Sequence, residues 1–213
     1  MPVRRAALEA ETTGARERFL LVSVSTADAP AATRVRVWRK LRSLGALYLQ
    51  QSVSLLPDRD PVRRRVARLL ASVRADGGTA RELTVEIADG AEYGQLVAEF
   101  DAERDTEYGE VVERAPDLLN ELEMETARGN ATYAEVEESE ADLERFEKGL
   151  AKIAARDYFG APGGTAAREA VERCRTALAA FEETAIAAQA GENPAGRAAG
   201  ALPASARLHA VDG

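Results

Sequence analysis

The sequence predicts an α+β protein: a ferredoxin-like β-α-β-β-α-β domain followed by an antiparallel helical bundle or hairpin. Three observations predict it. Two amphipathic helical patterns with Arg-rich outer stripes are interleaved with short apolar, β-branched segments between Phe19 and Ala88. From Ala91 the period of the apolar residues becomes helical and stays so for some hundred residues. The charge divides with the period: residues 1–90 hold 16 basic and 10 acidic side chains, and residues 91–213 hold 12 and 26. The expected organisation is a flexible lead-in (1–17), a ferredoxin-like domain (18–90), a helical domain (91–188) and a disordered tail (189–213).

Phe19–Ser25 (FLLVSVS) reads as a central strand, because a continuous apolar run needs cover on both faces. Thr26–Pro30 turns the chain and offers Asp28 as a helix cap. A helix is expected from Ala31 to Leu44. Its buried stripe is Val37, Trp38, Leu41 and Leu44, and its exposed stripe is Arg36, Arg39, Lys40 and Ser43. Gly45 falls where a left-handed cap belongs. Ala46–Gln50 and Ser52–Leu56 are short strands whose polar junction, Gln50-Gln51-Ser52, predicts a bent or bulged continuation. Pro57-Asp58 ends them. Asp60 caps a second helix with Pro61 in its first turn. That helix buries Val62, Val66, Leu69, Leu70 and Val73, exposes Arg63, Arg64, Arg65 and Arg68, and stops at Gly77-Gly78. Ala80–Ala88 alternates as an edge strand, with Leu83, Val85 and Ile87 inward.

The helical remainder reads as three amphipathic helices. The first carries Tyr93, Val97, Phe100, Tyr108, Val111 and Ala115, and Pro116-Asp117 is expected to restart it toward Leu118 and Leu122. Gly129-Asn130 breaks it, and Thr132 caps the next helix, marked by Val136, Leu143, Phe146, Leu150 and Ile153. The loop Asp157–Gly164, with Tyr158 and Phe159 plugging the bundle end, leads into a last helix marked by Val171, Cys174, Leu178, Phe181 and Ala185.

The composition excludes several classes of chemistry. No apolar run approaches the roughly 20 residues of a membrane span, and Met1–Arg18 lacks the apolar core of a signal peptide, so a cytoplasmic protein is expected. One Cys (Cys174) and one distant His (His209) make neither a disulfide nor a zinc site nor a thiol–imidazole pair. There is no Gly-rich phosphate loop and no nucleophile elbow. The acidic side chains Glu135, Glu137, Glu138, Glu140 and Asp142 read as a solvated helix face. No cofactor, no metal and no enzymatic activity are expected. What remains is the pair of basic stripes. In the ferredoxin-like arrangement both helices lie on one face of the sheet, so the stripes become neighbours. Guanidinium groups bind oxyanions by paired hydrogen bonds. Arg36, Arg39, Lys40, Arg63 and Arg64 are therefore the candidate contacts to a DNA backbone or a small oxyanion. The alternatives are a solvated surface, or docking onto the acidic helices of the same chain or a second copy.

The string WRKLRSLGALYLQQSVSLLPD (Trp38–Asp58) resembles the N-terminal domain of the ChrB family of chromate-resistance regulators. The similarity continues through Gly77-Gly78, through Phe100, Arg104 and Tyr108 (F-x3-R-x3-Y), and through Arg156-Asp157-Tyr158-Phe159, over about residues 18–186. It implies a transcriptional regulator or chromate-response protein of bacterial chromate-resistance loci; taken with the basic stripes, the expected partners are promoter DNA, chromate or sulfate, or a second copy of the chain. It also implies a relation to PaaX-type regulators, whose central domain has a similar core. Two departures bear on function. ChrB proteins commonly carry a second, chromate-associated domain, for which this sequence leaves no room. PaaX-type regulators carry a winged helix before the core, which the residues ahead of Phe19 are too few to form. The core is also similar to the small CRISPR-adaptation nuclease-like protein. There the first strand ends in a metal-binding Asp; here it ends at Ser25-Thr26, which argues against a metal-dependent nuclease.

Overall fold

A computed structural model describes residues 16–192; the expectations for 1–15 and for 193–213 lie outside the described residues. The elements are β1 (Phe19–Ser25), α1 (Ala31–Ser43), β2 (Leu47–Gln50), β3 (Val53–Pro57), α2 (Asp60–Ala75), β4 (Thr79–Val85), α3 (Gly90–Ala127), α4 (Tyr133–Ala154) and α5 (Gly163–Glu192). The strands form one antiparallel sheet in the order β2-β3-β1-β4, the ferredoxin-like arrangement. The chain divides into two compact units. Among the described residues, the first takes 16–112 together with Lys148–Arg168, and the second takes Glu113–Glu147 and 169–192. Composition placed a boundary near residue 90, where the period changes; these units divide inside the long helices. Among the described residues, no helix is long and apolar enough to cross a membrane.

In the first unit, β1 is central and its alternate residues serve two cores. Leu20 and Val22 join Val37, Leu41 and Leu44 of α1 with Val62, Val66, Leu69, Leu70 and Val73 of α2. Phe19 and Leu21 point to the other face, where Leu47, Leu55 and Phe100 complete a second cluster with Tyr93, Leu96 and Phe159. Each large apolar side chain fully buried in this way contributes about 1.5–3 kcal/mol. Phe19 stacks on Phe100 at 6.0 Å between ring centroids, and Phe159 tilts against both at 6.2 and 5.4 Å. The run Phe19–Val22 is thus covered on both sides, as its uninterrupted apolarity required.

Both sheet-domain helices end in the same motif. The Gly45 amide donates to Arg42 O at 2.9 Å and the Ala46 amide to Leu41 O at 3.1 Å; the Gly77 and Gly78 amides repeat the pattern on Arg74 O and Val73 O. These are Schellman caps. Gly45 takes φ 69°, and a Cβ there would lie 2.7 Å from Arg104 Nη1 and 3.0 Å from Arg156 Cβ, so both conformation and space demand glycine.

Several expectations are corrected. Trp38 is 48 % exposed rather than buried, because Thr33, Val37, Leu41 and Leu44 form the inward line and Trp38 lies about 100° off Val37. Asp28 does not cap α1: Pro30 holds the N-cap position, without a side-chain cap. Asp60 lies inside α2, with Arg59 at the N-cap. The Gln50–Ser52 junction is not a bent continuation but the tip of an antiparallel β2–β3 hairpin, with an irregularity between Tyr48 and Gln50. Leu83 is 55 % exposed: it sits opposite Leu21 on edge strand β4, beyond the apolar cover centred on Phe19. Pro116 does not restart a helix, since α3 runs through it. Phe159 packs on the sheet, and Tyr158 donates its hydroxyl to Leu44 O at 2.6 Å; neither plugs a bundle end. Residues 189–192, assigned to the tail, continue α5.

In the second unit, the three helices are linked by Cys174 Sγ–H to Ala115 O at 3.6 Å, by an Arg175–Glu147 ion pair at 2.5 Å, and by Arg114 over the Phe146 ring at 5.4 Å. Thr132 accepts the Glu135 amide at 3.4 Å, capping α4 as its position predicts.

Candidate functional site

The helices α1 and α2 carry ten Arg and Lys residues and a single acidic one, Asp60. Each helix must bury one apolar line on the sheet, so its basic residues are forced outward, and the shared core sets the two outer faces side by side. Between them runs a depression of ≈ 330 Å³ lined by Arg36 and Lys40 from α1 and by Arg65, Arg68, Leu69 and Ser72 from α2. A second, shallower one on the outer surface of α1 is lined by Val35, Arg36, Arg39 and Lys40. Arg36 and Lys40 belong to both, so the positive surface is continuous across α1.

The five candidate contacts are not placed alike. Arg36 and Lys40 line the groove between the helices, and Arg39 lies on the outer surface of α1. Arg64 is exposed on α2, and its carbonyl accepts Arg68 Nε at 3.2 Å. Arg63 turns to the β4 side of α2. It pairs with Asp58, whose side chain is 4 % exposed, reaches Glu82 at 3.4 Å, and donates to Thr84 Oγ1 at 3.2 Å. Its hydrogen bonds to Asp58 raise the guanidinium pKa further, and Asp58 and Glu82 compensate its charge. The groove's α2 cations are instead Arg65 and Arg68. The three-residue step from Arg65 to Arg68, continued by Ser72, marks the edge of α2 nearer α1, and that edge is chosen by topology rather than by composition.

One acid enters the groove's electrostatics. Asp76, at the end of α2, accepts the buried Thr33 hydroxyl at 2.6 Å and pairs with Arg36. The Thr33 hydrogen bond first, and then Arg36, hold its carboxyl below the usual carboxylate range. Arg36 is therefore partly engaged, whereas Lys40, Arg65 and Arg68 face the groove.

The F-x3-R-x3-Y residues and the Arg156–Phe159 turn meet behind the sheet. Tyr108, buried, donates to Asp157 Oδ2 at 3.1 Å; burial, and then Asp157, push its pKa up to about 12. Asp157 Oδ1 accepts the Gly160 and Ala161 amides at 2.9 and 3.0 Å, and Asp105 accepts the Gly163 amide at 2.7 Å. Arg104, only 4 % exposed, shares Glu107 with Arg156 at 3.1 and 2.9 Å. Apart from Arg104 Nε, which is buried without a hydrogen-bond partner, these groups pair with one another and hold the turn that delivers Tyr158 and Phe159 to the two cores. Their arrangement is architectural. Among the described residues, no cluster of three or more His, Cys, Asp or Glu side chains could hold a metal ion. Cys174 is buried, and desolvation raises its thiol pKa.

The family profile described as "Protein ChrB, N-terminal" matches residues 34–192. Protein ChrB of Cupriavidus metallidurans is 28% identical over 141 residues, which are 66% of this chain and 40% of that protein. This chain therefore spans well under half the length of that relative. No solved structure matches it. The matched residues contain α1 from Arg34 onward, α2, the glycine caps and the Arg156–Phe159 turn, and the chain belongs to the ChrB N-terminal family.

Proposed function

We propose that this protein is a regulatory component of chromate resistance, working in the cytoplasm without catalytic activity of its own and holding DNA by phosphate contacts between α1 and α2. Family membership supports the link to chromate resistance. The observation that carries the DNA reading is the groove itself: four cationic side chains from two helices line one depression, with Asp76 the acid that pairs with Arg36 there. Guanidinium groups on rigid helices suit phosphate oxygens, and a row of them displaces condensed counterions. Gel-shift titration against promoter DNA at low salt tests it. Binding that weakens steeply with salt, and is lost on combining Arg65→Ala with Arg68→Ala, is the expected result; no binding at low salt refutes it.

A second reading takes the same groove as a site for a small divalent oxyanion such as chromate or sulfate. Its support is the convergence of Arg36, Lys40, Arg65 and Arg68 on one depression, where guanidinium groups can meet the oxygens of a dianion by paired hydrogen bonds. Sulfate that blocks DNA binding more strongly than chloride of equal ionic strength would favour it.

A further inference from the structure

We propose that a cavity on the hairpin side of α1 receives an unpaired base of a DNA strand whose phosphates follow the basic groove. The inference rests on the DNA reading above and extends it to single-stranded DNA. The cavity measures ≈ 710 Å³, and its lining includes Arg34, Val35, Trp38, Tyr48, Gln51 and Ser54. Sequence periodicity assigns Trp38 to the core, yet it is 48 % exposed, with Val35 at 46 % and Tyr48 at 36 %. Three large exposed apolar side chains at one concave place form a surface that a soluble protein keeps for a ligand.

The chemistry of the walls favours a base. Trp38 and Tyr48 supply aromatic rings, and the Arg42 guanidinium lies 5.4 Å from the Trp38 ring, a cation–π arrangement that stiffens the indole. Tyr48 is held in place by its hydroxyl, which donates to Trp38 O at 3.3 Å. Gln51 and Ser52, at the tip of the β2–β3 hairpin, bring an amide and a hydroxyl to the same cavity, and Thr26 adds another hydroxyl. Such groups donate to and accept from the edge of a base, while the rings stack on its faces. A purely apolar partner would leave them unsatisfied.

Position supplies the second argument. Val35 lines both this cavity and the depression on the outer surface of α1, and that depression shares Arg36 and Lys40 with the groove. Aromatic pocket and cationic track thus join across a single helix. This is the pairing by which single strands are held: a positive path for the backbone and a stacking platform for a base.

The chain's single tryptophan makes the test direct. Binding of a fluorescein-labelled twelve-residue thymidine strand is followed by anisotropy, and Trp38 emission is followed with the unlabelled strand. A twelve-residue abasic strand serves as the phosphate-only control. The thymidine strand should bind about 10-fold more tightly than the abasic one, as one good stack predicts, and should quench Trp38 along the same isotherm. Trp38→Ala should lower thymidine binding to the abasic level and leave abasic binding unchanged, whereas Trp38→Phe should keep most of the difference. Equal binding of both strands with no change in Trp38 emission overturns the base pocket and leaves the phosphate groove standing. Thymidine monophosphate that quenches Trp38 as tightly as the strand also overturns it, because the cavity is then a free-nucleotide site. Failure of both strands to bind at low salt refutes the DNA reading and this inference with it.

Discussion

Replacing Arg68 by Ala should flatten the salt dependence of DNA binding, whereas replacing Arg63 by Gln should not. The two residues lie on the same helix and differ in what they face. Arg68 lines the groove with Arg36, Lys40 and Arg65; Arg63 is committed to Asp58 and Glu82. If each groove cation meets a phosphate, log K falls against log salt with a slope of about −3.6, roughly a 150-fold loss of affinity between 50 and 200 mM salt. Without Arg68 the slope should be about −2.7 and the loss about 40-fold. Arg63→Gln should leave the slope within about 0.3 of wild type, because its charge is already compensated. Asp76→Asn should act in the opposite sense. It releases Arg36 from its ion pair, so a wild-type slope that falls short of about −3.6 because Asp76 holds Arg36 should steepen toward that value. Anisotropy titrations at four or five salt concentrations, with circular dichroism to confirm folding, measure all three variants. Arg63→Gln flattening the slope as much as Arg68→Ala would refute the assignment of the groove.

Gly45→Ala should cost about 2–4 kcal/mol, about 1–2 of it from the left-handed backbone and the rest from crowding Arg104 and Arg156. Gly160→Ala, also at positive φ but with nothing within 4 Å, should cost only the first part; equal urea midpoints for the two variants would show that Arg104 and Arg156 yield freely. Asp101 has a buried Oδ1 without a partner, and desolvation, then Asp157 and Asp105, raise its carboxyl pKa. A raised carboxyl pKa means that the fold loses stability as pH rises through the carboxylate range, so Asp101→Asn should melt higher than wild type at pH 7 and the difference should close near pH 3. Finally, Cys174 is buried with a raised pKa, so chromate should be consumed no faster with the protein than by the thiol reductant alone, and calorimetry should find at most weak chromate binding that sulfate competes away. Catalytic chromate loss that disappears in Cys174→Ala would contradict this.

The sequence by itself determined the order of elements, the two Schellman glycines and the inward line of α2, because these depend on local periodicity and backbone conformation. Phe19–Ser25 was legible as a doubly covered strand from its unbroken apolar run. Which residues supply the cover was not, since Phe100 and Phe159 lie 81 and 140 positions downstream of Phe19. The basic helices were legible as a candidate site, but not which of their cations converge. A helical wheel gives Arg63 and Arg65 equal standing beside Val62 and Val66. Only the packing of α2 between α1 and β4 turns Arg65 toward the groove and Arg63 toward Asp58 and Glu82. Trp38 shows the same limit. Hydrophobicity assigned it to the core, and the tertiary structure places it at a cavity wall, because α1 has room for one inward line and Thr33, Val37, Leu41 and Leu44 occupy it. Local preference acts over a few residues and writes itself into the sequence. The choice of which flank meets which neighbour is made by contacts between distant segments, and only the folded chain brings them together.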